Sequence, residues 1–225
     1  MSGQTTITIQ FCRADLANLQ DQLITVVGDV SGEGSNVVVC ASFAPFSPVN
    51  TLLFSAQWEV FAFSSAIMPF NPANLQIEQT ATVGNIYDFT GSGFSPDSNP
   101  GVLTAFGCYN KSTLNPVGFG IAQSLTANAG TPFWAPWAIM EVPVKETSYL
   151  QLPNPNTATF FLSTIEVNTI IPAGMLRAAA SGSSSRSINP GLVIGNYLTV
   201  SLESSSTIYF DSRNNCFTTT SQTCN

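Results

Sequence analysis

Two aspartates flank a glycine-rich turn in the segment DFTGSGFSPD, and their type and spacing suit a cation site. Asp88 and Asp97 would supply carboxylate oxygens, and the turn between them adds the hydroxyl and carbonyl oxygens that Ca²⁺ or Mg²⁺ prefers. The spacing does not match an EF-hand, and aspartates beside such turns also cap backbone amides. We therefore predict a metal site at Asp88 and Asp97, with ordinary turn chemistry as the alternative.

The segment TPFWAPWAIMEVP, residues 131–143, concentrates aromatic side chains between three prolines. Each proline removes a ladder hydrogen bond, so we expect this segment to lie outside the sheet as a stiff loop. Rigid aromatic faces there suit a planar ligand or a sugar ring, because the loop is ordered before binding. The predicted ligand-binding residues are Phe133, Trp134, Trp137 and Tyr149, and a loop that plugs the end of the domain is the alternative.

The chain lacks the residues that most kinds of enzyme catalysis require. The sequence has no histidine, which excludes Ser-His-Asp, Cys-His and His-zinc sites. It has no GxSxG elbow, and its glycine-rich segments lack the lysine of a phosphate-binding loop. A carboxylate pair such as Asp29 and Glu33 is the remaining catalytic alternative. We predict that the protein is not an enzyme.

The net charge of the chain and the pattern of its apolar residues limit the classes of binding partner and the cellular locations to be expected. The chain has 13 acidic and 6 basic residues and a net charge of −7, which argues against nucleic acid as a partner. No apolar run reaches the roughly 18 to 20 residues of a membrane-spanning helix. The start MSGQTTITIQFC alternates in polarity and does not read as a signal peptide, so we expect a cytoplasmic location. A homo-oligomer remains open.

The five cysteines have no CxxC spacing, so we expect mostly reduced, buried thiols. Cys216 and Cys224 are the one pair close enough in sequence to bridge readily.

Alternation of apolar and polar residues dominates the chain and predicts a mainly β fold. We predict a single two-layer, sandwich-like domain over residues 1–225, with long Pro/Gly-rich loops and little helix; RADLANLQDQL is the one helix-like run. Phe61 and Phe63 break the alternation, which indicates that their strand is covered on both sides. The residues expected to point inward are Phe54, Trp58, Val60, Phe161, Ile165, Val167, Val200 and Leu202.

Three segments interrupt the alternation and are predicted to be long ordered loops: SSAIMPFNPANL, DFTGSGFSPDSNPG and LPNPNTA. The small, polar stretch at 178–191 is the best candidate for a mobile loop.

Taken together, the missing histidine, the few charges, the MSG start and TPFWAPWAIMEVP in a Ser/Thr-rich β chain resemble fungal fruit-body proteins, among them chromoproteins of the oyster-mushroom type. The resemblance implies a noncovalently held, conjugated organic chromophore, possible involvement of a divalent cation, and no turnover. The residues alone favour a small-molecule binding protein, because a charge-poor, aromatic-rich β domain can enclose an apolar ligand. The alternatives are a lectin or pore-forming defence protein, in which Trp134, Trp137 and Tyr149 meet sugars or lipid, and a structural or storage protein without ligand.

Overall fold

The computed structural model describes residues 3–19, 21–29, 35–45, 47–64, 66–73, 75–113, 115–153, 156–172 and 197–224. These residues form one helical turn, α1 (Arg13–Leu16), and the strands β1 (Thr5–Gln10), β2 (Leu23–Gly28), β3 (Asn36–Phe43), β4 (Val49–Phe63), β5 (Ile77–Ala81), β6 (Asn85–Phe89), β7 (Phe94–Pro100), β8 (Ala105–Asn110), β9 (Val117–Ala127), β10 (Phe133–Val142), β11 (Thr147–Gln151), β12 (Thr157–Ser163), β13 (Ile170–Pro172), β14 (Leu198–Ser201), β15 (Ser206–Asp211) and β16 (Cys216–Thr218). The prediction of a mainly β chain with little helix is confirmed.

Most strands belong to one large sheet with the order β14-β12-β2-β3-β10-β9-β4-β1-β15-β16, to which β5 adds beside β4 and β13 beside β3. Neighbours are antiparallel except β1 and β15, which run parallel with Ile9 opposite Ile208. At the far end of the order, β16 comes back against β12 and β14. The sheet therefore curls into a nearly closed, barrel-like arrangement.

A smaller sheet of four strands packs against this arrangement in the order β11-β8-β6-β7. Its contact with the large sheet is aromatic: the rings of Phe106 and Trp58 lie 5.4 Å apart, and those of Phe94 and Phe119 lie 6.4 Å apart. Large buried rings of this kind supply most of the apolar area that holds two sheets together.

The inward faces meet in one large apolar cluster, as the alternation predicts. Phe54, Trp58 and Val60 are buried in it, together with Val200 and Leu202. The prediction that Phe161 and Ile165 point into the same core is wrong: Phe160 and Leu162 of β12 enter the large cluster, whereas Phe161 points to the other face and is buried with Ile165 in a second cluster that also holds Val27 and Val39.

A third cluster covers the outer face of β4 and β9, which confirms that β4 is enclosed on both sides at its end. Phe61 and Phe63 lie in this cluster. Their rings lean across β9 onto Gly120 and Gly118, where an added Cβ would come within 2.2 and 2.3 Å of the respective ring. These glycines provide the space in which the second aromatic layer lies flat on the sheet.

Two local predictions are wrong. Val167 is 41% exposed, because the chain turns between β12 and β13 instead of continuing the strand alternation. The segment DFTGSGFSPDSNPG is not a long loop, since Phe94–Pro100 pairs with β6 as the second strand of a hairpin. The predicted mobile loop at 178–191 lies outside the described residues.

The helix-like run RADLANLQDQL contributes the single turn α1. Among the described residues, the one helix has four residues, which is far too few to span a membrane.

The predicted cysteine pair is also wrong: the disulfide joins Cys12 to Cys224 across a sequence separation of 212. The parallel pairing of β1 with β15 brings the two ends of the chain together, which spacing along the sequence does not reveal. Cys40, Cys108 and Cys216 are free in the described part, so three of the five cysteines carry free thiols, as expected. Burial raises the pKa of the Cys40 thiol to about 12, so this group is unreactive.

Candidate functional site

The aromatic segment 131–143 is a strand and not a loop. Phe133–Val142 forms β10, which pairs with β9 along its length and with β3 at Ala138 and Ile139. The register shifts between Pro136 and Ala138. Proline is tolerated in sheets at such bulges, so Pro136 interrupts the ladder locally without ending the strand. The expectation that this segment lies outside the ladder is therefore wrong.

Trp137 is part of the core. Its side chain has no exposed surface, and its ring lies 5.5 Å from Trp58 and 6.0 Å from Phe54, both edge to face. The indole also lies directly on Gly28 of β2, where a Cβ would come within 1.7 Å of the ring atoms. Its N–H has no hydrogen-bond partner in the part of the chain that the structure describes. A ligand would have to displace this packing before it could contact Trp137.

Phe133 and Trp134 have exposed area but do not form one platform. Successive side chains of a strand point to opposite faces. Phe133 is 38% exposed, whereas Trp134 is half-buried and packs on the outer cluster that holds Phe61 and Ala122. Tyr149 is half-buried on β11 and rests on Gly107 of β8. The four predicted ligand-binding residues thus occupy different faces, and Trp134 is the one on the outer face of the large sheet.

Glu59 shares that outer face with Trp134. It lies two residues before Phe61 on β4, so the two side chains point to the same face, and it lies opposite Ala122 of β9 and Thr80 of β5. Ala122 is in turn opposite Pro136, and Trp134 lies two residues before Pro136 on the same face, so Glu59 and Trp134 are on the two strands to either side of β9. From the sequence, Glu59 was assigned only to the polar face of a strand. The aromatic residues that follow it, Phe61 and Phe63, were the signal that this face is partly covered.

The environment of Glu59 disfavours the ionised form of its carboxyl group. Its Oε2 is buried, and among the described residues it has no hydrogen-bond partner. Burial raises the pKa of Glu59, and the neighbouring carboxylate of Glu78 raises it further. An unpaired buried acceptor costs about 1–3 kcal/mol, so a donor placed beside Oε2 would be held firmly. We call Glu59, Glu78, Ala122, Ser124 and Trp134 the Glu59–Trp134 surface.

The raised pKa of Glu59 predicts that Glu59→Gln stabilises the protein at pH 7.5 and not at pH 3.5. The pKa of this carboxyl group is 4.5 in the unfolded chain and higher in the folded protein. The free energy of unfolding therefore falls as pH rises from the lower pKa to the higher one. The variant removes this penalty, and the gain stays below about 1 kcal/mol because the side chain is partly exposed. Urea unfolding at the two pH values measures the effect. An equal gain at both would show that the charge is not its cause.

Asp88 already has a cationic partner. Its Oδ2 lies 2.7 Å from Nζ of Lys111 and accepts a longer hydrogen bond of 3.4 Å from Nδ2 of Asn99. A divalent cation would have to displace the lysine ammonium, and the side chain of Asp97 lies outside the described part. Within that part, no group of three or more acidic or cysteine side chains could hold a metal ion. The cation site at Asp88 and Asp97 stays a prediction.

The structure does not show the carboxylate pair of the catalytic alternative. Asp29 is exposed and accepts a hydrogen bond of 3.0 Å from the hydroxyl of Thr157, while Glu33 lies outside the described residues.

Comparison of the chain with protein-family models, with curated proteins and with solved structures gave no match. A function is therefore inferred from the Glu59–Trp134 surface. It combines an aromatic side chain with a buried carboxylate oxygen that has no hydrogen-bond donor among the described residues.

Proposed function

We propose that the protein is a non-enzymatic binding protein that holds a small planar organic ligand on the Glu59–Trp134 surface. The observation that carries this proposal is the buried Oε2 of Glu59, which has no partner in the described structure and lies on the same sheet face as the half-buried Trp134. An aromatic face and a partly buried carboxylate on one sheet suit a ring that carries a hydrogen-bond donor, and the ligand would draw Oε2 out of its buried position.

The two parts of the surface favour different parts of the ligand. A ring stacked on Trp134 removes apolar area from water, at about 25 cal/mol per Å². An N–H or O–H group of the ligand would donate to the carboxylate of Glu59 after its side chain turns Oε2 toward the surface. The nearby Glu78 makes the field more negative, so a basic donor is preferred over a neutral one.

The resemblance to fungal fruit-body chromoproteins supports extending the proposal to a conjugated chromophore as the natural ligand. A divalent cation at Asp88 and Asp97 is a separate part of that proposal, and the ion pair of Asp88 with Lys111 competes with it.

A lectin is the second candidate, because the surface also carries hydroxyl groups. Ser124 lies directly opposite Trp134, and Thr80 lies opposite Glu59. A sugar would stack on the indole and share its hydroxyl groups between these residues and the carboxylate.

Proflavine, a planar cation with two amino groups, tests the proposal by fluorescence anisotropy. We expect Trp134→Ala and Glu59→Gln each to weaken proflavine binding by about tenfold or more, which corresponds to 1.4 kcal/mol. Phe133→Ala is the matched control, since it removes the adjacent partly exposed aromatic residue from the opposite face. This control should bind like the parent protein.

Three outcomes would contradict the proposal: no binding by the parent protein, equal binding by all variants, or equal loss in Phe133→Ala. A glycan array read with the same variants separates the two candidates, because a lectin binds sugars there and loses them with Trp134.

A further inference from the structure

Three aliphatic side chains project into solvent at one end of the small sheet. Leu103 is 85% exposed, Val102 is 46% exposed and Val83 is 40% exposed. The turn at Val83 leads into β6 and the turn at Val102 and Leu103 leads into β8; β6 and β8 are adjacent parallel strands, so the two turns lie side by side. We call these three residues the Leu103 tip. Single apolar residues on a surface are normal, but a group of neighbouring exposed apolar side chains indicates an interaction site, because folding alone gives no reason to keep it in water.

The backbone beneath the tip is ordered by hydrogen bonds between the two turns. The N–H of Gly84 donates to the carbonyl of Ala105 at 2.8 Å, and the N–H of Gly101 donates to the carbonyl of Gly84 at 2.7 Å. Gly84 has a φ of +93°, a conformation that other residues rarely adopt, and it lies against the backbone of Leu103. The backbone that carries Val83, Val102 and Leu103 is thus held in one conformation by these turns.

No charged residue surrounds the tip in the sequence. Residues 79–87, 98–110 and 147–153 contain no Asp, Glu, Lys or Arg, in a chain whose net charge is −7. A negatively charged protein is repelled by an anionic surface, whereas an uncharged apolar tip enters a neutral interface without desolvating a charge.

The size of the tip argues against a second protein. Its three side chains offer on the order of 300 Å², whereas a stable protein interface buries about 800 Å² on each partner. In a bilayer each buried CH₂ group contributes a small, separate amount of binding free energy, so a few aliphatic side chains give weak, reversible attachment. We propose that the Leu103 tip inserts into the interface of a neutral, zwitterionic phospholipid bilayer. This proposal is independent of the ligand at the Glu59–Trp134 surface.

Co-sedimentation with phosphatidylcholine vesicles tests the proposal. We expect the parent protein to partition onto these vesicles, and Leu103→Asp to reduce the bound fraction at least tenfold. Val49→Asp is the matched control, because Val49 is also exposed but lies at the start of β4 beside Gln10. This control should bind as the parent does. Leu103→Ser, which adds no charge, should show the same loss as Leu103→Asp.

Other results would overturn the proposal. Absence of parent binding to phosphatidylcholine, or equal loss in the Val49 variant, would remove the tip as a lipid contact. Stronger binding to phosphatidylserine vesicles would contradict the charge argument. A dimer in analytical ultracentrifugation that Leu103→Asp dissociates would assign the tip to a contact between copies of the chain.

Discussion

Replacing Cys12 and Cys224 together by serine should lower the free energy of unfolding by about 5 kcal/mol. The bridge closes a loop with a sequence separation of 212, so its removal restores a large conformational entropy to the unfolded chain. Domains have unfolding free energies of about 5–15 kcal/mol, so this loss would consume a large part of the total. Urea unfolding under non-reducing conditions measures it.

The control for this prediction is Cys216→Ser, which removes a free, half-buried thiol from the same region. It should change the unfolding free energy by less than about 0.5 kcal/mol. A loss below 1 kcal/mol in the double variant, or a comparable loss in Cys216→Ser, would show that the bridge does not hold the chain ends together.

Trp137→Ala should destabilise the protein by about 3–5 kcal/mol, the range for truncating a buried tryptophan. The side chain is completely buried between Phe54, Trp58 and Gly28, so its removal leaves a large void. Trp134→Ala is the matched control, because Trp134 lies on the same strand but is only half-buried, and it should cost clearly less. Thermal unfolding compares the two.

Gly28 supplies an independent check of the same packing. Gly28→Ala should be strongly destabilising, because its Cβ would come within 1.7 Å of the Trp137 indole. When Trp137 is already alanine, this clash is gone, so the two substitutions together should cost much less than their sum. Strict additivity would contradict the packing of the indole on Gly28.

The sequence was sufficient for the fold class because strand alternation is a local property. Phe54, Trp58 and Val60 could be assigned to the core from their spacing, and Phe61 and Phe63 indicated a second covered face. Val167 was misassigned because a turn between β12 and β13 resets the alternation, and no glycine or proline marks that turn in STIEVNT.

The contacts that depend on topology could not be predicted. The prolines of PFWAPW predicted a loop, but a bulge in β10 absorbs Pro136 and leaves Trp137 in the core. The disulfide follows from a parallel pairing of the first strand with β15, which no spacing reveals.

The candidate site was predicted only in part. Trp134 was singled out as an aromatic anchor, but Glu59 comes onto the same sheet face, one strand beyond β9, through the register of β4, β9 and β10. That register joins residues 75 positions apart in the sequence, and it is fixed by the long-range pairing of strands and not by any local pattern.

Native mass spectrometry of the protein purified from its own source tests the ligand proposal most directly. The proposal predicts a native mass that exceeds the mass of the disulfide-bonded chain by that of one small organic molecule, and this excess should disappear on denaturation. The Trp134→Ala variant, produced in the same source, should lack the excess while keeping its fold. A native mass equal to that of the bare chain, or an excess that Trp134→Ala retains in full, would contradict the assignment of a planar ligand to the Glu59–Trp134 surface.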